Sequence, residues 1–501
     1  MAIEKIIGIE TEYGIAGGPS GDPIFASTLI VNAYAQLVKS SIRWDFEGEH
    51  PDVDARGQKG LNQFAPAVER TVANTVLTNG ARLYVDHAHP EYSSPECRSP
   101  LAATQYDVAG EMIMLQAQRA ANEILGQNEQ IRLYKNNSDG KGNSYGTHEN
   151  FLVSRTVPFT EIVRAMLPHF VSRQLLFGAG KVGAETDTGR FSNPHFQLSQ
   201  RAEFFEEVVG LETTMKRPIV NTRDEPHADA ERFRRLHIIN GDANLSQVAT
   251  FVKVGSTALL LGALEEYGCE AFPPPPTSPV AAIRSFAQDL SWVDETYPSV
   301  YVHTESGARF SSWEYQNELW LLAQRYVEDT GAALVAEHSE VVLLMTQWRE
   351  LIDGLRKDSM IVANRIDWIA KYRMVAGFRE RYGLDWNSAK LAAIALQYHD
   401  IVPEKSLARM AKLFELITPE MANQAMTEAP TDTRAYFRGE SVRRYSNEIA
   451  SANWDSIVFK SSEGALQRVP MMDPTRGTME LTSSLFGECS TATELLERLE
   501  R

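Results

Sequence analysis

The run IIGIETEYG, residues 6–14, begins as an isoleucine-rich strand and then sets Glu10 and Glu12 one residue apart. Alternate residues of a strand share a face, about 7 Å apart along the chain. The two carboxylates therefore project together, while Ile9, Thr11 and Tyr13 face the other way. Either this is the solvent face of an edge strand, since glutamate is seldom buried, or the pair holds a hard cation such as Mg²⁺, which takes carboxylate oxygens and bridges to phosphates.

The same interruption recurs in other strand-like segments. In ARLYVDHAHPEYSSPE, residues 81–96, Asp86, His87, His89 and Glu91 crowd a strand end that turns at Pro90. The bland reading is a polar strand end. No further pair with zinc spacing follows, so zinc is disfavoured, and an aspartate there is a candidate base or nucleophile. YKNNSDGKGNSYGTHENFLVSR, residues 134–155, has a Gly/Asn/Ser-rich centre and then puts His148 and Asn150 on one strand face. That centre is either a plain hairpin turn or a phosphate cradle, and it fits neither the P-loop nor the dinucleotide fingerprint. FQLSQR, 196–201, and NTRDEPHADAERFRRLHIINGDAN, 221–244, add Arg201, Arg223, Arg234, Arg235 and His237. Arginine clamps phosphate or carboxylate through two parallel hydrogen bonds. A sheet whose one face carries Glu, His and Arg is more readily a nucleotide–metal cradle than a core.

Helical spacing predicts helices over 26–40 and 103–126 and through most of 312–430, and strands over 3–9, 81–86, 131–155 and 194–201. Residues 43–66 mix charge, Gly and Pro without periodicity and read as a long loop that either gates a site or is disordered. The tail from about 432 reads as a small α+β unit, giving two domains, 1–430 and 431–501. With 501 residues a single ordinary core is too small. The net charge of −17 argues against a nucleic-acid partner. No run of eighteen apolar residues suggests a membrane span. Three scattered cysteines, with no signal-peptide pattern at the start, point to the cytoplasm. A monomer is expected.

GIETEYG, NGARLYVDHAHPEY, LYKNNSDGKGNSYGTHEN, SQR, NTRDEPHADAERFRRLHIINGDAN and PTDTRAYFRGE together resemble the Pup ligase/depupylase family over residues 3 to about 460. The resemblance implies an α+β fold of the glutamine synthetase-like kind: a curved antiparallel sheet backed by helices, holding ATP (or ADP plus phosphate) and Mg²⁺, with a small C-terminal domain. It implies Pup and pupylated proteins as partners. Residues 43–66, the spacer in YVDHAHPEY and the WDSIVF segment look like the branch that deamidates Pup and removes it from lysines. The ATP-consuming Pup–protein ligase is the alternative.

By motif, the resemblance assigns Glu10, Glu12, Glu91, His148 and His237 to metal and Asp86 to catalysis. It assigns Arg201, Arg223, Arg434 and Arg438 to phosphate or substrate, and closes Trp454 on the adenine. The basic clusters at 232–235 and 371–381 are candidates for gripping the acidic Pup chain.

Overall fold

The computed structural model describes residues 2–40, 42–47, 49–57, 73–185, 195–461 and 464–500. Its centre is a six-stranded sheet built from β1 (Ile7–Glu12), β2 (Asn74–Val76), β3 (Arg82–Asp86), β4 (His89–Ser93), β5 (Thr147–Ser154) and β6 (Phe233–Gly241). The order is β6-β5-β1-β4-β3-β2, and each neighbouring pair is antiparallel. β1 starts later than the expected 3–9 and includes both glutamates. Of the strand expected over 194–201, Phe196–Gln197 is extended.

The two faces of this sheet differ in chemistry. Ile7, Ile9, Leu83, Val85, Tyr92, Phe151, Val153, Leu236 and Ile238 are buried in the main apolar core. Helices α1 (Pro23–Leu37), α2 (Pro100–Ile124) and α3 (Gln247–Tyr267) cover that face, contributing Ile30, Ile113 and Phe251 among others. Burying such side chains stabilises by roughly 1.5–3 kcal/mol each. Each helix begins at a side-chain cap: Asp22 for α1, Ser99 for α2 and Ser246 for α3. Helix α3 is, among the described residues, the one helix long and apolar enough to cross a membrane, and 94% of its apolar window is buried inside the protein. Its apolarity on all sides serves the core.

Helix α2 lies hard against β4. A Cβ added at Gly110 would sit 2.3 Å from the Tyr92 ring. Gly110→Ala is therefore expected to destabilise the chain by about 1–3 kcal/mol through overpacking, although alanine is the better helix former. Urea denaturation of the variant measures this.

A second core sits over the C-terminal sheet of β7 (Ile449–Ala452), β8 (Ser456–Lys460) and β9 (Leu466–Pro470), packed with helix α4 (Ala435–Tyr445). Residues after 430 do not make this core alone. Ile42, Trp44 and Val76 join it, and the short strand Arg43–Trp44 pairs in parallel with β7. So small a unit buries too little apolar surface unaided, and the borrowed tryptophan and isoleucine supply part of the remainder.

Candidate active site

The strand registers gather the sheet's other face into one site. Glu10 stands opposite Ser93 on one side and His148 on the other, and Glu12 stands opposite Glu91. Tyr84 faces Glu91, Asp86 faces His89, and His237 faces Asn150. The spacing of Glu10 and Glu12 thus continues across five strands, and the residues group into two clusters.

The first cluster is Glu10, His148 and His237, whose ligand atoms all lie within 4.8 Å of one another. Asn150 organises it: its amide nitrogen donates to Glu10 at 3.0 Å, and its oxygen lies 2.9 Å from His237 Nδ1. The His148 and His237 rings meet edge to face at 5.0 Å. Burial opposes charge on Glu10, but the His148 hydrogen bond and the Arg235 guanidinium hold its carboxyl well below the usual range. Burial, then Arg235, pushes His237 well down, so its imidazole is neutral. Its buried Nε2 has no hydrogen-bond partner among the described residues. A neutral imidazole with an open nitrogen is the ligating form.

The second cluster is Glu12, Asp86 and Glu91, with ligand oxygens within the same 4.8 Å limit. Glu12 accepts from the Gly146 amide at 2.6 Å. A Cβ at Gly146 would lie 2.1 Å from His148 Nε2, so any larger residue there would displace the His148 ring. Burial and the charges of Asp86, Glu12 and Glu10 raise the Glu91 carboxyl well above its ordinary value. Asp86, at the end of β3, has a side chain 34% exposed, with His87 Nδ1 3.1 Å from Oδ2. Burial works against its charge, but His87, His148 and Arg82 hold its carboxyl below the ordinary value. Three convergent acids offer oxygens to a hard cation, and the open nitrogen of His237 offers a further ligand. The residues present fit a divalent cation.

One expected outcome follows for Glu91. Its folded carboxyl binds a proton more tightly than in the unfolded chain, so its contribution to stability falls as pH rises above the ordinary glutamate range. Without divalent cation, Glu91→Gln should be more stable than the parent at pH 8, and the difference should shrink toward pH 5. Added Mg²⁺ should stabilise the parent more than the variant. Thermal melts at the two pH values, with and without Mg²⁺, measure this.

Arginines border both clusters. Arg201 is buried, with Nε and Nη1 unpartnered among the described residues, and burial and Arg217 lower its guanidinium to about 10. Arg223 Nε and Arg235 Nε are likewise buried without partners there. These donors suit phosphate or carboxylate oxygens. Trp454 joins Gly8, Glu10, Pro226, His227 and Arg235 around a cavity at the Gly8 end of β1. Its apolar wall and unsatisfied arginine suit an aromatic base carrying phosphates.

Arg434 and Arg438, expected to grip a ligand, are each tied to Glu96, and Arg434 also lines the cavity. Arg434 Nε donates to Glu96 at 2.7 Å, and its Nη1 to the His227 and Met471 carbonyls. Arg438, fully buried, donates to Glu96 and to the Gly80 and Trp454 carbonyls. Glu96, its side chain 13% exposed, took their charges.

The basic clusters also divide. Arg232 pairs with Asp473 at 3.0 Å, Arg234 faces Asp224 at 3.5 Å, and Arg235 turns into the site. Lys371 is buried against the Gly180 carbonyl and His399, whereas Arg373 and Arg379 are exposed. Of the 43–66 segment, residues 50–55 are tied to 222–225: Asp224 N donates to Val53 O at 2.9 Å, and Ala55 N to Thr222 O at 2.8 Å. Residues 58–66 lie outside the described residues.

Arg235 was legible from the rule that linked Glu10 with Glu12, since it precedes His237 by two residues on β6. Asn150 was placed on the His148 face, but not its bond to Glu10. Glu96 and Arg217 carried no local signal.

Comparison with known proteins gives concordant results. A family model described as Pup-ligase protein matches residues 5–458. The chain is 44% identical to a protein of Acidothermus cellulolyticus named Depupylase, over 99% of both chains. It is 42% identical to one of Mycobacterium tuberculosis named Pup deamidase/depupylase, again over 99% of each. The solved structure of the Pup ligase PafA in complex with ADP superposes with a TM-score of 0.74 at 30% identity, covering 85% of this chain and 91% of that one.

Proposed function

The chain belongs to the Pup-ligase protein family, and from that membership we propose that it is a Pup hydrolase. It converts the side-chain amide of Pup's C-terminal glutamine to a carboxylate, and it cleaves the isopeptide bond between that side chain and a target lysine. Both reactions are hydrolyses at the same δ-carbonyl, so one site serves both. The observation that carries this reading is 44% and 42% identity, over 99% of the chain, with a depupylase and a Pup deamidase/depupylase. Identity with Pup–protein ligases is lower: 36% over 92% of the chain for one of Bifidobacterium longum and 39% over 80% for one of Acidimicrobium ferrooxidans.

We assign Glu12 and Glu91, and Glu10 with His148 and His237, to Mg²⁺. Arg201, Arg223 and Arg235 would hold phosphate or the substrate's carboxylates, and Trp454 would hold the base of ATP, or of ADP with phosphate. Bound there, the Mg-nucleotide would polarise the amide oxygen and offset charge in the transition state. The chemistry on the chain's own side falls to Asp86, which is accessible and ionised. As a base it takes a proton from water while the water oxygen bonds to the δ-carbon; the C–N bond then breaks, and the nitrogen leaves with that proton as ammonia or the lysine amine. As a nucleophile its carboxylate attacks the δ-carbon, the nitrogen leaves with a solvent proton, and water opens the resulting anhydride. Arg201, buried with free donors, would steady negative charge on the oxygen.

Amide hydrolysis runs downhill, so the nucleotide acts as a bound cofactor. The test is Pup ending in glutamine, incubated with the protein, Mg²⁺ and ADP plus phosphate and read by mass spectrometry. Conversion to glutamate supports the reading. Persistence of glutamine, with conjugates forming from Pup-Glu as ATP is consumed, would establish the ligase reading, which the likeness to PafA favours.

A further inference from the structure

Glu96 lies three residues beyond β4, where the catalytic sheet meets the C-terminal unit. Its carboxylate accepts from Arg434 Nε at 2.7 Å, from Arg438 Nη1 at 3.2 Å and from Arg438 Nη2. Its main-chain carbonyl accepts from Thr433 Oγ1 at 2.7 Å. The two arginines reach onward to the walls of the Gly8-end cavity. Arg438 Nη1 donates to the Trp454 carbonyl at 3.0 Å, and its guanidinium lies 5.0 Å from the centre of the Trp454 ring. Arg434 Nη1 donates to the His227 carbonyl at 2.6 Å. Glu96, His227, Arg434 and Trp454 all line that cavity.

We propose that Glu96 is a positioning residue for the nucleotide: through Arg438 and Arg434 it fixes Trp454 and His227 against the cavity that takes the base. This rests on the nucleotide reading above. Glu96 is well suited to the task because one carboxylate holds two guanidiniums that would otherwise repel each other. The Arg438 fork grips the Glu96 carboxylate through Nη1 and Nη2, and this grip sets Nη1 where it also reaches the Trp454 carbonyl. Without the acid, the tryptophan backbone loses its anchor and the ring loses a defined stacking position. Preorganisation of this kind shows in ligand affinity. The acid stays charged throughout the working range: burial alone would raise its carboxyl, but Arg438 and Arg434 hold it down at about 2.

A role confined to stability makes a different forecast, so the experiment reads ligand affinity and melting temperature together. Full-length parent, Glu96→Gln, Trp454→Ala and the double variant are titrated with ADP and Mg²⁺ by calorimetry, and the Pup hydrolysis rate is measured against nucleotide concentration. Glu96→Gln should weaken ADP binding and raise the nucleotide KM by about tenfold or more, with kcat at saturating nucleotide and the KM for Pup near parental values. In the Trp454→Ala background, Glu96→Gln should add less than about twofold, because the residue through which it acts is gone. Should Glu96→Gln fail to fold, Arg438→Lys, which keeps the charge and loses the fork, should give the same KM shift. Parental ADP affinity in a folded variant, or full additivity with Trp454→Ala, would overturn the proposal. If the parent itself bound no ADP, the nucleotide reading would fall and take this inference with it. If the parent binds and the variants bind alike, only the role of Glu96 falls.

Discussion

Asp86→Asn is expected to lower turnover of both Pup-Gln and Pup–lysine conjugate by about 10²–10⁴-fold, the range set by removal of a catalytic acid–base group. Binding should survive. The Asp86 side chain is 34% exposed at a strand end, where it pairs with the neighbouring His87. Its removal opens no cavity in the core, and the amide keeps the shape. It also removes one of the charges that raise the Glu91 carboxyl, which offsets the lost attraction of Asp86 to His87, His148 and Arg82. Steady-state kinetics with calorimetric titration of nucleotide and Pup separate the two effects. Turnover within tenfold of the parent would remove Asp86 from the chemistry, and lost nucleotide binding would make it a ligand in place of a reacting group.

Glu96→Ala should have the largest effect on stability. The pairs it would break are buried, with side chains 4% and 0% exposed for Arg434 and Arg438 and 13% for Glu96. Removing one partner of a buried ion pair leaves the others uncompensated, at a cost of about 3–5 kcal/mol. Here two guanidiniums would be stranded between the catalytic sheet and the C-terminal core. Denaturant titration followed by tryptophan fluorescence reads the change. pH gives an independent check. The folded Glu96 carboxyl, at about 2, lies below its unfolded value, so its stabilisation is complete above the ordinary glutamate range and fades as pH falls toward 2. The gap between parent and Glu96→Ala should therefore narrow on acidification. A variant as stable as the parent at neutral pH would show that these pairs are dispensable.

How much of this was legible in the sequence depends on how far apart the interacting residues lie. Glu10 and Glu12 share a face by strand geometry alone, and His148 and Asn150 likewise. That Glu10 belongs with His148 and His237, while Glu12 belongs with Asp86 and Glu91, is a matter of register between residues up to 227 positions apart, which no local pattern specifies. The motif resemblance named residues that converge on this face, but not their division into two clusters. Arg434 and Arg438 show the limit most clearly. Their motif pointed to ligand contact, yet their partner Glu96 is 338 and 342 residues away along the chain. The short strands and terminal helix after 432 carried a local signal, whereas the part Ile42, Trp44 and Val76 take in their core did not, because those residues lie far off in the chain.

The most direct test of the central claim, hydrolysis with nucleotide as a bound cofactor, is a single incubation. The protein is mixed with Mg²⁺, a non-hydrolysable ATP analogue and a Pup–lysine conjugate, and the products are weighed by mass spectrometry. The expected result is free Pup ending in glutamate together with the restored lysine of the target. An intact conjugate under these conditions, in a protein that joins Pup-Glu to lysine once hydrolysable ATP is supplied, would contradict it.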